Sequence, residues 1–194
     1  MGVVRLAKQV ALDRWVAVKA LRPEHRAPSD VEALLSEAWL AGGLEHPNIL
    51  PVYSVSLDEQ GLPLIVMKRI EGRTWATLLR DTSAMAAHAP GKAPLHEHLS
   101  ILLQVCNAVH FAHARGVVHR DLKPENVMVG AFGEVYVVDW GVATRPGPCS
   151  QLAGTPAYMA PEMLGGPLAV ITPRTDVYLL GAILFDVLVG RPPH

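Results

Sequence analysis

The most informative stretch of this 194-residue chain is Val118-His119-Arg120-Asp121-Leu122-Lys123-Pro124-Glu125-Asn126. They combine a carboxylate, an ammonium group and an amide, which are side chains suited to metal ions and phosphate groups. Two segments follow: Val138-Asp139-Trp140-Gly141, whose aspartate lies 18 residues after Asp121, and Ala160-Pro161-Glu162, which begins 21 residues after that aspartate. Three such segments in this order are far more specific than any one of them.

Together these segments resemble the signature set of the eukaryotic-type Ser/Thr protein kinases, specifically of their bacterial relatives. Upstream, Val16-Ala17-Val18-Lys19 is similar to the strand that carries the nucleotide-binding lysine, and Glu37 stands where the partner of that lysine is expected. The resemblance runs along the whole chain. It implies an α+β, two-lobed kinase-like fold: a small antiparallel sheet with one main helix at 1–70, and a mainly helical lobe at 71–194.

The resemblance implies an ATP-dependent protein Ser/Thr kinase. Transfer of a γ-phosphoryl group depends on charge neutralisation and in-line positioning more than on covalent help from the protein. By resemblance, Asp121 accepts the proton of the substrate hydroxyl, and Lys123 neutralises the transferring group. Asn126 and Asp139 would supply oxygen ligands for Mg²⁺, which prefers oxygen over nitrogen and sulfur.

The nucleotide-binding residues are assigned by the same resemblance. Lys19 would bind the α- and β-phosphates, and its ion pair with Glu37 would tie the position of the helix to activity. An apolar slot with hydrogen bonds to backbone at its edge suits a flat purine. The remaining residues assigned to the ATP site are Gly2, Val4, Ala17, Met67, Lys68, Ile70 and Met128.

Residues 154–158, with the sequence Gly-Thr-Pro-Ala-Tyr, resemble the segment that receives the peptide substrate. The pattern implies proteins bearing Ser or Thr as substrates, with Thr155 near Asp121 and Lys123. In the family, the residue at Arg120 pairs with a phosphorylated activation segment, because a guanidinium binds phosphate through two hydrogen bonds.

Control by autophosphorylation is a further hypothesis, and with it self-association of the chain. The candidate hydroxyl groups are those of Thr144, Ser150 and Thr155. His119, in contrast, is expected to be structural rather than an acid catalyst, since the family packs this histidine against the position of Trp140.

Composition and charge exclude several other classes of protein. The 17 Lys and Arg residues against 18 Asp and Glu give a net charge of -1, so no basic field favours nucleic acid. The longest apolar run, 177–190, is interrupted by Asp186 and is too short to span a bilayer, and the N-terminus lacks a signal-peptide pattern. We therefore expect a soluble, cytoplasmic protein in which Cys106 and Cys149 are unrelated thiols.

Hydrophobic periodicity predicts short strands followed by longer helices. The predicted strands are 3–7, 15–20, 52–57, 64–70, 127–129 and 135–138, and the predicted helices are 31–42, 95–115 and 176–189.

Two further predictions concern single segments. Residues 81–94 contain many small and turn-forming residues, which predicts a surface loop or linker. In the helix at 95–115, residues recurring at intervals of three and four predict the buried face. That predicted face consists of Leu99, Leu102, Leu103, Cys106, Val109 and Ala112 or His113.

The resemblance also implies a catalytic domain that is cut at both ends. Gly2 and Val4 match the last glycine and the valine of the Gly-rich loop, and 190–194 matches the loop after the central helix of the large lobe. The alternative to an active kinase is therefore a truncated, non-catalytic kinase-like signalling or scaffold module. A small-molecule phosphotransferase is disfavoured by the peptide-binding pattern at 154–162.

Overall fold

The computed structural model describes residues 2–148, 152–166 and 168–194. The chain divides into two compact units, which are treated separately below. The first unit comprises the residues up to Glu45 together with Leu50–Ile70, and the second comprises His46–Ile49 together with Glu71–His194. Within the described ranges, no helix is both long and apolar enough to cross a membrane.

An antiparallel sheet and one helix form the first unit. Its elements are β1 (Gly2–Gln9), β2 (Arg14–Leu21), α1 (Pro28–Gly42), β3 (Val52–Leu57) and β4 (Pro63–Lys68). The strand order is β1-β2-β4-β3, and every neighbouring pair is antiparallel. Helix α1 buries Leu34 and Ala38 against Leu21 of β2 and Ile65 of β4, which forms the core of this unit.

The second unit is mostly helical. Its elements are β5 (Gly72–Thr74), α2 (Trp75–Arg80), α3 (Thr82–His88), α4 (Pro94–Ala114), β6 (Val127–Gly130), β7 (Val135–Val137), β8 (Gly147–Pro148), β9 (Val170–Ile171) and α5 (Pro173–Val189). Strands β5, β6 and β7 form one antiparallel sheet, and β8 pairs with β9. Helices α4 and α5 pack against each other. A sheet with one helix, followed by a mainly helical region, confirms the predicted α+β class.

The prediction of a surface loop over 81–94 is wrong, because Thr82–His88 forms α3. The side chain of Asp81 caps this helix by accepting hydrogen bonds from the backbone N–H groups of Ser83, at 2.9 Å, and Ala84, at 3.0 Å. Ala84 and Met85 are buried. A seven-residue helix that buries small side chains has too weak a hydrophobic period to be recognised, although an aspartate before it is a helix-start signal.

Helix α4 was predicted correctly, but its buried face only in part, since Val109 and Ala112 are buried as predicted. The buried residues include Ile101, Val105, Ala108 and Val109, whereas Leu99 and Leu103 are exposed. Residues 101, 105 and 108 also follow intervals of four and three, so two faces of this helix satisfy the same periodicity. Packing against the rest of the unit selects between them.

Candidate active site

The segment 118–126 connects the region after α4 to β6, and hydrogen bonds from other segments fix its backbone. Val118 pairs with Thr144, since each backbone N–H donates to the carbonyl of the other at 2.8 and 2.9 Å. Arg120 has φ 69°, which is a left-handed conformation that costs a non-glycine residue about 1 kcal/mol or more. The surrounding hydrogen bonds must therefore impose this conformation.

Asp176 at the start of α5 imposes it. The fully buried carboxylate accepts the backbone N–H of His119 at 2.8 Å and that of Arg120 at 2.9 Å, one on each oxygen. The Nε2 atom of His113 lies 2.8 Å from the same carboxylate. One side chain thus orients two consecutive peptide groups just before Asp121.

The side chains of Asp121, Lys123, Asn126 and Thr155 form one hydrogen-bonded cluster. The hydroxyl of Thr155 donates to Oδ1 of Asp121 at 2.7 Å and accepts from Nζ of Lys123 at 2.5 Å. Nζ of Lys123 also lies 2.9 Å from Oδ2 of Asp121. The predicted proton acceptor and the predicted phosphoryl-neutralising cation are therefore both within hydrogen-bond distance of a single hydroxyl group.

Asn126 and Asp139 present the donor set predicted for a divalent metal ion. The amide nitrogen of Asn126 donates to the backbone oxygen and to Oδ2 of Asp121, at 2.8 and 2.9 Å, which leaves its Oδ1 for another ligand. Asp139 is exposed and has φ 62°. The described residues contain no cluster of three or more His, Cys, Asp or Glu that could hold a metal. The two side chains fit Mg²⁺, which typically binds one or two protein carboxylates or amides and shares phosphate oxygens.

In the first unit, Lys19 and Glu37 form the predicted ion pair. Nζ of Lys19 lies 2.6 and 2.7 Å from the two carboxylate oxygens of Glu37. The two side chains are only 17% and 13% exposed, so the pair is shielded from water on most sides. It joins β2 to α1.

Four of the predicted ATP-site residues share one face of the first unit's sheet. Directly opposed residues in antiparallel strands point to the same face, and Val4 is opposed to Lys19, while Ala17 is opposed to Met67. Gly2 lies in β1, opposite Leu21. Lys68 ends β4 and Ile70 follows it, whereas Met128 lies in β6 of the second unit.

The predicted regulatory residues are only partly described. Arg120 is buried, and its Nη1 atom lies 3.5 Å from the carbonyl oxygen of Val142. Thr144 is half-buried beside Val118. Ser150 lies outside the described residues, as does Cys149.

The sequence was compared with models of protein families. The model of the family described as "Protein kinase domain" matches residues 1–194. The chain belongs to the protein kinase family.

Curated relatives of the chain are bacterial proteins. It is 37% identical over 203 residues to the serine/threonine-protein kinase PknB of Mycobacterium leprae, covering 100% of this chain and 31% of that protein. Similar values hold for the serine/threonine-protein kinase PrkC of Bacillus subtilis, at 34% identity, 100% of this chain and 29% of the relative. The serine/threonine-protein kinase PknD of Chlamydia trachomatis serovar L2b is 35% identical over 100% of this chain and 24% of its own length. The chain thus spans less than a third of these relatives.

The contacts of His119 are those of a structural residue, because backbone groups lie against both of its ring nitrogens. Its ring lies 4.5 Å from that of Trp140, as the family resemblance implies. Its Nδ1 atom accepts the backbone N–H of Asp121 at 3.2 Å, so the proton resides on Nε2, 3.2 Å from the carbonyl oxygen of Val138. Burial lowers the pKa of His119, and the neutral ring therefore supports the loop.

Asp186 is a buried carboxylate in the second unit to which sequence reasoning gave no role. Asp186 of α5 is fully buried and accepts hydrogen bonds from the hydroxyl of Tyr158 at 2.6 Å and from Nη2 of Arg80 at 2.8 Å. Burial, followed by the hydrogen bond to Asp186, raises the pKa of Tyr158, so its hydroxyl stays protonated. The available signal was a single carboxylate within the apolar run 177–190.

Proposed function

We propose that this chain is the catalytic part of an ATP-dependent protein Ser/Thr kinase. The observation that carries the proposal is the hydroxyl of Thr155 bound between Asp121 and Lys123 at 2.7 and 2.5 Å. This contact supports the proposal, because an aliphatic hydroxyl is also the acceptor group of a Ser or Thr side chain. The printed names of the relatives, all serine/threonine-protein kinases, support the same substrate class.

Asp121 and Lys123 perform different parts of the transfer. The carboxylate of Asp121 orients the acceptor hydroxyl and takes its proton as the new oxygen–phosphorus bond forms. The ammonium group of Lys123 offsets the negative charge on the transferring phosphoryl group. Mg-ATP would supply the γ-phosphoryl group, and ADP would leave as the bond between the γ-phosphorus of ATP and its β–γ bridging oxygen breaks.

The remaining residues of the proposal bind and orient. Oδ1 of Asn126 and the carboxylate of Asp139 would ligate Mg²⁺, because both are hard oxygen donors. Lys19, held by Glu37, would bind the α- and β-phosphates through its ammonium group. A purine would bind along the sheet face that carries Val4 and Ala17. Since ATP would be the phosphoryl donor, we assign the reaction to the cytoplasm. The proposed acceptors are Ser and Thr of proteins, and they include those of a second copy of this chain, which would be autophosphorylation by self-association.

The test is phosphoryl transfer by the purified 194-residue chain with Mg²⁺ and γ-labelled ATP. We expect label on dephosphorylated casein and on the chain itself. Asp139→Ala should reduce both by on the order of 100-fold or more, because a metal ligand and its charge stabilisation are lost. Glu24→Ala, which removes an exposed carboxylate of the first unit, is the matched control and should retain the activity. A folded wild-type chain that transfers no label would instead support the non-catalytic kinase-like module.

A further inference from the structure

We propose that the tip of the hairpin formed by β1 and β2 docks this chain on an anionic lipid surface. The apolar tip consists of Val10, Leu12 and Trp15, which lie in the first unit. None of the three is assigned to ATP or to phosphoryl transfer. The inference goes beyond the proposed kinase function and does not rest on it.

The side chains of the apolar tip are strongly exposed. Val10 is 85% exposed, Leu12 62% and Trp15 51%. Tight turns usually carry Gly, Asn, Asp or Ser, because these residues tolerate or stabilise the backbone geometry of a turn. Single exposed apolar residues are common on protein surfaces, but three of them within six residues form a patch. The turn itself does not require this patch, so its chemistry points to a partner.

The backbone of the tip is well defined. A single 3-10 turn at Val10–Leu12 joins the two strands, and the backbone N–H of Asp13 donates to the carbonyl oxygen of Val10 at 3.1 Å. Nζ of Lys8 in β1 lies 2.6 Å from Oδ1 of Asp13, which ties the strands together across the turn. The apolar side chains are therefore presented on an ordered, convex end of the hairpin.

Cationic side chains flank the apolar tip. Lys68 ends β4 opposite Val16, which places it at the same end of the sheet. Residues 5–15 have a net charge of +2 in a chain whose total is -1, because three cations stand against Asp13 alone. Those cations are Arg5, Lys8 and Arg14. The charge of the tip is thus opposite to that of an anionic lipid surface, which attracts Lys and Arg lying within a Debye length of it.

Aromatic side chains complete the pattern of a membrane interface. Trp and Tyr favour the boundary between lipid head groups and acyl chains, because their rings are apolar and carry one polar group. Trp15 follows Arg14, whose Cζ atom lies 4.0 Å from the ring centroid of Tyr53, and that tyrosine is 39% exposed. A protein partner would need a pocket shaped for this convex tip, whereas a fluid lipid surface adapts to it. The tip therefore inserts shallowly among anionic head groups.

Vesicle sedimentation with the purified 194-residue chain tests the proposal. The probes are vesicles of phosphatidylcholine and vesicles in which about one-third of the lipid is phosphatidylglycerol. We expect a partition coefficient at least about 10-fold higher for the anionic vesicles, and a decrease on addition of salt because the Debye length shortens. Binding to neither kind of vesicle, or equal binding to both, would overturn the proposal.

The double variant Val10→Ser/Leu12→Ser is decisive, since it removes two exposed apolar side chains and leaves every charge. The partition coefficient for anionic vesicles should fall at least about 10-fold. Lys8→Gln removes one cation and should lower the coefficient about 5-fold. A coefficient that the double serine variant leaves unchanged would assign the binding to another surface and overturn the proposal.

Phe132→Ser is the matched control. Phe132 is 96% exposed at the turn between β6 and β7 of the second unit, where its backbone N–H donates to the carboxylate of Glu134 at 3.0 Å. This turn is apolar at its tip but acidic beside it, so its variant should keep the partition coefficient within about 2-fold of the wild type. A loss as large as that of the double serine variant would contradict a specific role of the hairpin tip.

Tryptophan fluorescence locates the contact. All four tryptophans lie within the described ranges, and Trp75 and Trp140 are buried, so Trp39→Phe leaves Trp15 as the exposed indole. In that variant, anionic vesicles should shift the emission to shorter wavelength, and lipids brominated on their acyl chains should quench it. Unshifted emission at lipid concentrations that bind the chain would overturn insertion of the tip.

A second copy of this chain is the competing occupant of the tip. Sedimentation equilibrium without lipid distinguishes it, because a dimer that depends on Val10 and Leu12 in a chain that binds no vesicles would overturn the proposal. Vesicle binding requires a folded chain but no phosphoryl transfer. A chain that binds anionic vesicles through the tip and transfers no label would therefore support this inference while the kinase function fails.

Discussion

At the scale of single residues, the candidate site concentrates unfavourable local geometry. Arg120 and Asp139 both have left-handed backbones, with φ of 69° and 62°. Such conformations cost about 1–3 kcal/mol each and persist only where surrounding interactions impose them. For Arg120 the imposing group is the carboxylate of Asp176. Arg120 directly precedes Asp121, and Asp139 is itself a predicted metal ligand, so both left-handed residues lie within the candidate site.

Trp140 combines favourable burial of its ring with an unfavourable, unpaired N–H group. The indole is 2% exposed, and its Nε1 atom has no hydrogen-bond partner among the described residues. Trp140→Phe removes this unsatisfied donor, worth about 1–3 kcal/mol, but leaves a small cavity of opposite effect. We expect the free energy of unfolding to change by less than about 1 kcal/mol, measured by urea titration.

Trp75→Phe is the control for this prediction. Trp75 is also fully buried, but its Nε1 atom donates to Nδ1 of His98 at 3.0 Å. Its replacement loses packing and leaves the imidazole nitrogen unpaired, so it should destabilise the chain by about 1–3 kcal/mol more than Trp140→Phe. Equal decreases in the free energy of unfolding for the two variants would contradict the view that the unpaired N–H of Trp140 cancels much of the stabilisation from burying its ring.

At the scale of elements, α5 begins at a polar cap that places a side chain of the candidate site's support. Thr172 precedes α5, and its hydroxyl accepts the backbone N–H of Arg174 at 3.2 Å. In return, the hydroxyl of Thr175 accepts the backbone N–H of Thr172 at 3.2 Å. The first turn of α5 also carries Asp176, so the cap determines where this helix, and with it the support of the loop at 119–120, begins.

Removal of that cap provides the prediction at this scale. Thr172→Ala should lower the free energy of unfolding by about 1 kcal/mol, which for a chain of this length is a decrease in Tm of roughly 2–4 °C. Thr172→Ser retains the hydroxyl and should stay within about 0.5 kcal/mol of the wild type. Differential scanning fluorimetry of the three proteins is sufficient. A serine variant as unstable as the alanine variant would attribute the loss to the methyl group.

At the scale of the whole molecule, two buried histidines and one half-buried histidine are expected to make stability depend on pH. Burial lowers the pKa of His98, of His119 and of His46. All three belong to the second unit. Each therefore binds a proton more readily in the unfolded chain, whose histidines titrate near about pH 6.5. The unfolded state then gains protons first, so stability must rise with pH and fall on acidification.

The expected result is a free energy of unfolding that decreases as the pH falls from 7.5 through about 6.5 and below. Urea titrations across this range measure it. His98→Gln should reduce the slope, because one of the contributing groups is lost and the amide oxygen can still accept the N–H of Trp75. His96→Gln removes an exposed histidine of the same helix and is the control. An undiminished slope in His98→Gln would exclude His98 as a contributor.

Much of the candidate site was predictable because its chemistry requires particular residue types close together in sequence. Asp121, Lys123 and Asn126 lie within six residues, and the structure brings them into one cluster. The ion pair between Lys19 and Glu37 was predictable only through the resemblance, since the two residues lie on different elements. Their roles in the reaction stay predictions.

Other features depended on packing between distant segments. Helix α3 is stabilised by burial of Ala84 and Met85, and α4 has two faces of similar periodicity, so local patterns could not decide either. The network of Arg80, Tyr158 and Asp186 joins residues as far as 106 positions apart. No spacing rule covers such a separation.

From the amino-acid sequence alone, the family and the α+β class could be recognised and the candidate site residues predicted, because short-range motifs carry residue types suited to phosphate and metal. The buried face of α4, the helix at 82–88 and the hydrogen bond from Tyr158 to Asp186 became evident only in the folded chain. The physical reason is that burial and hydrogen bonding between distant segments are energies of the folded chain as a whole, whereas a motif expresses only its own neighbourhood.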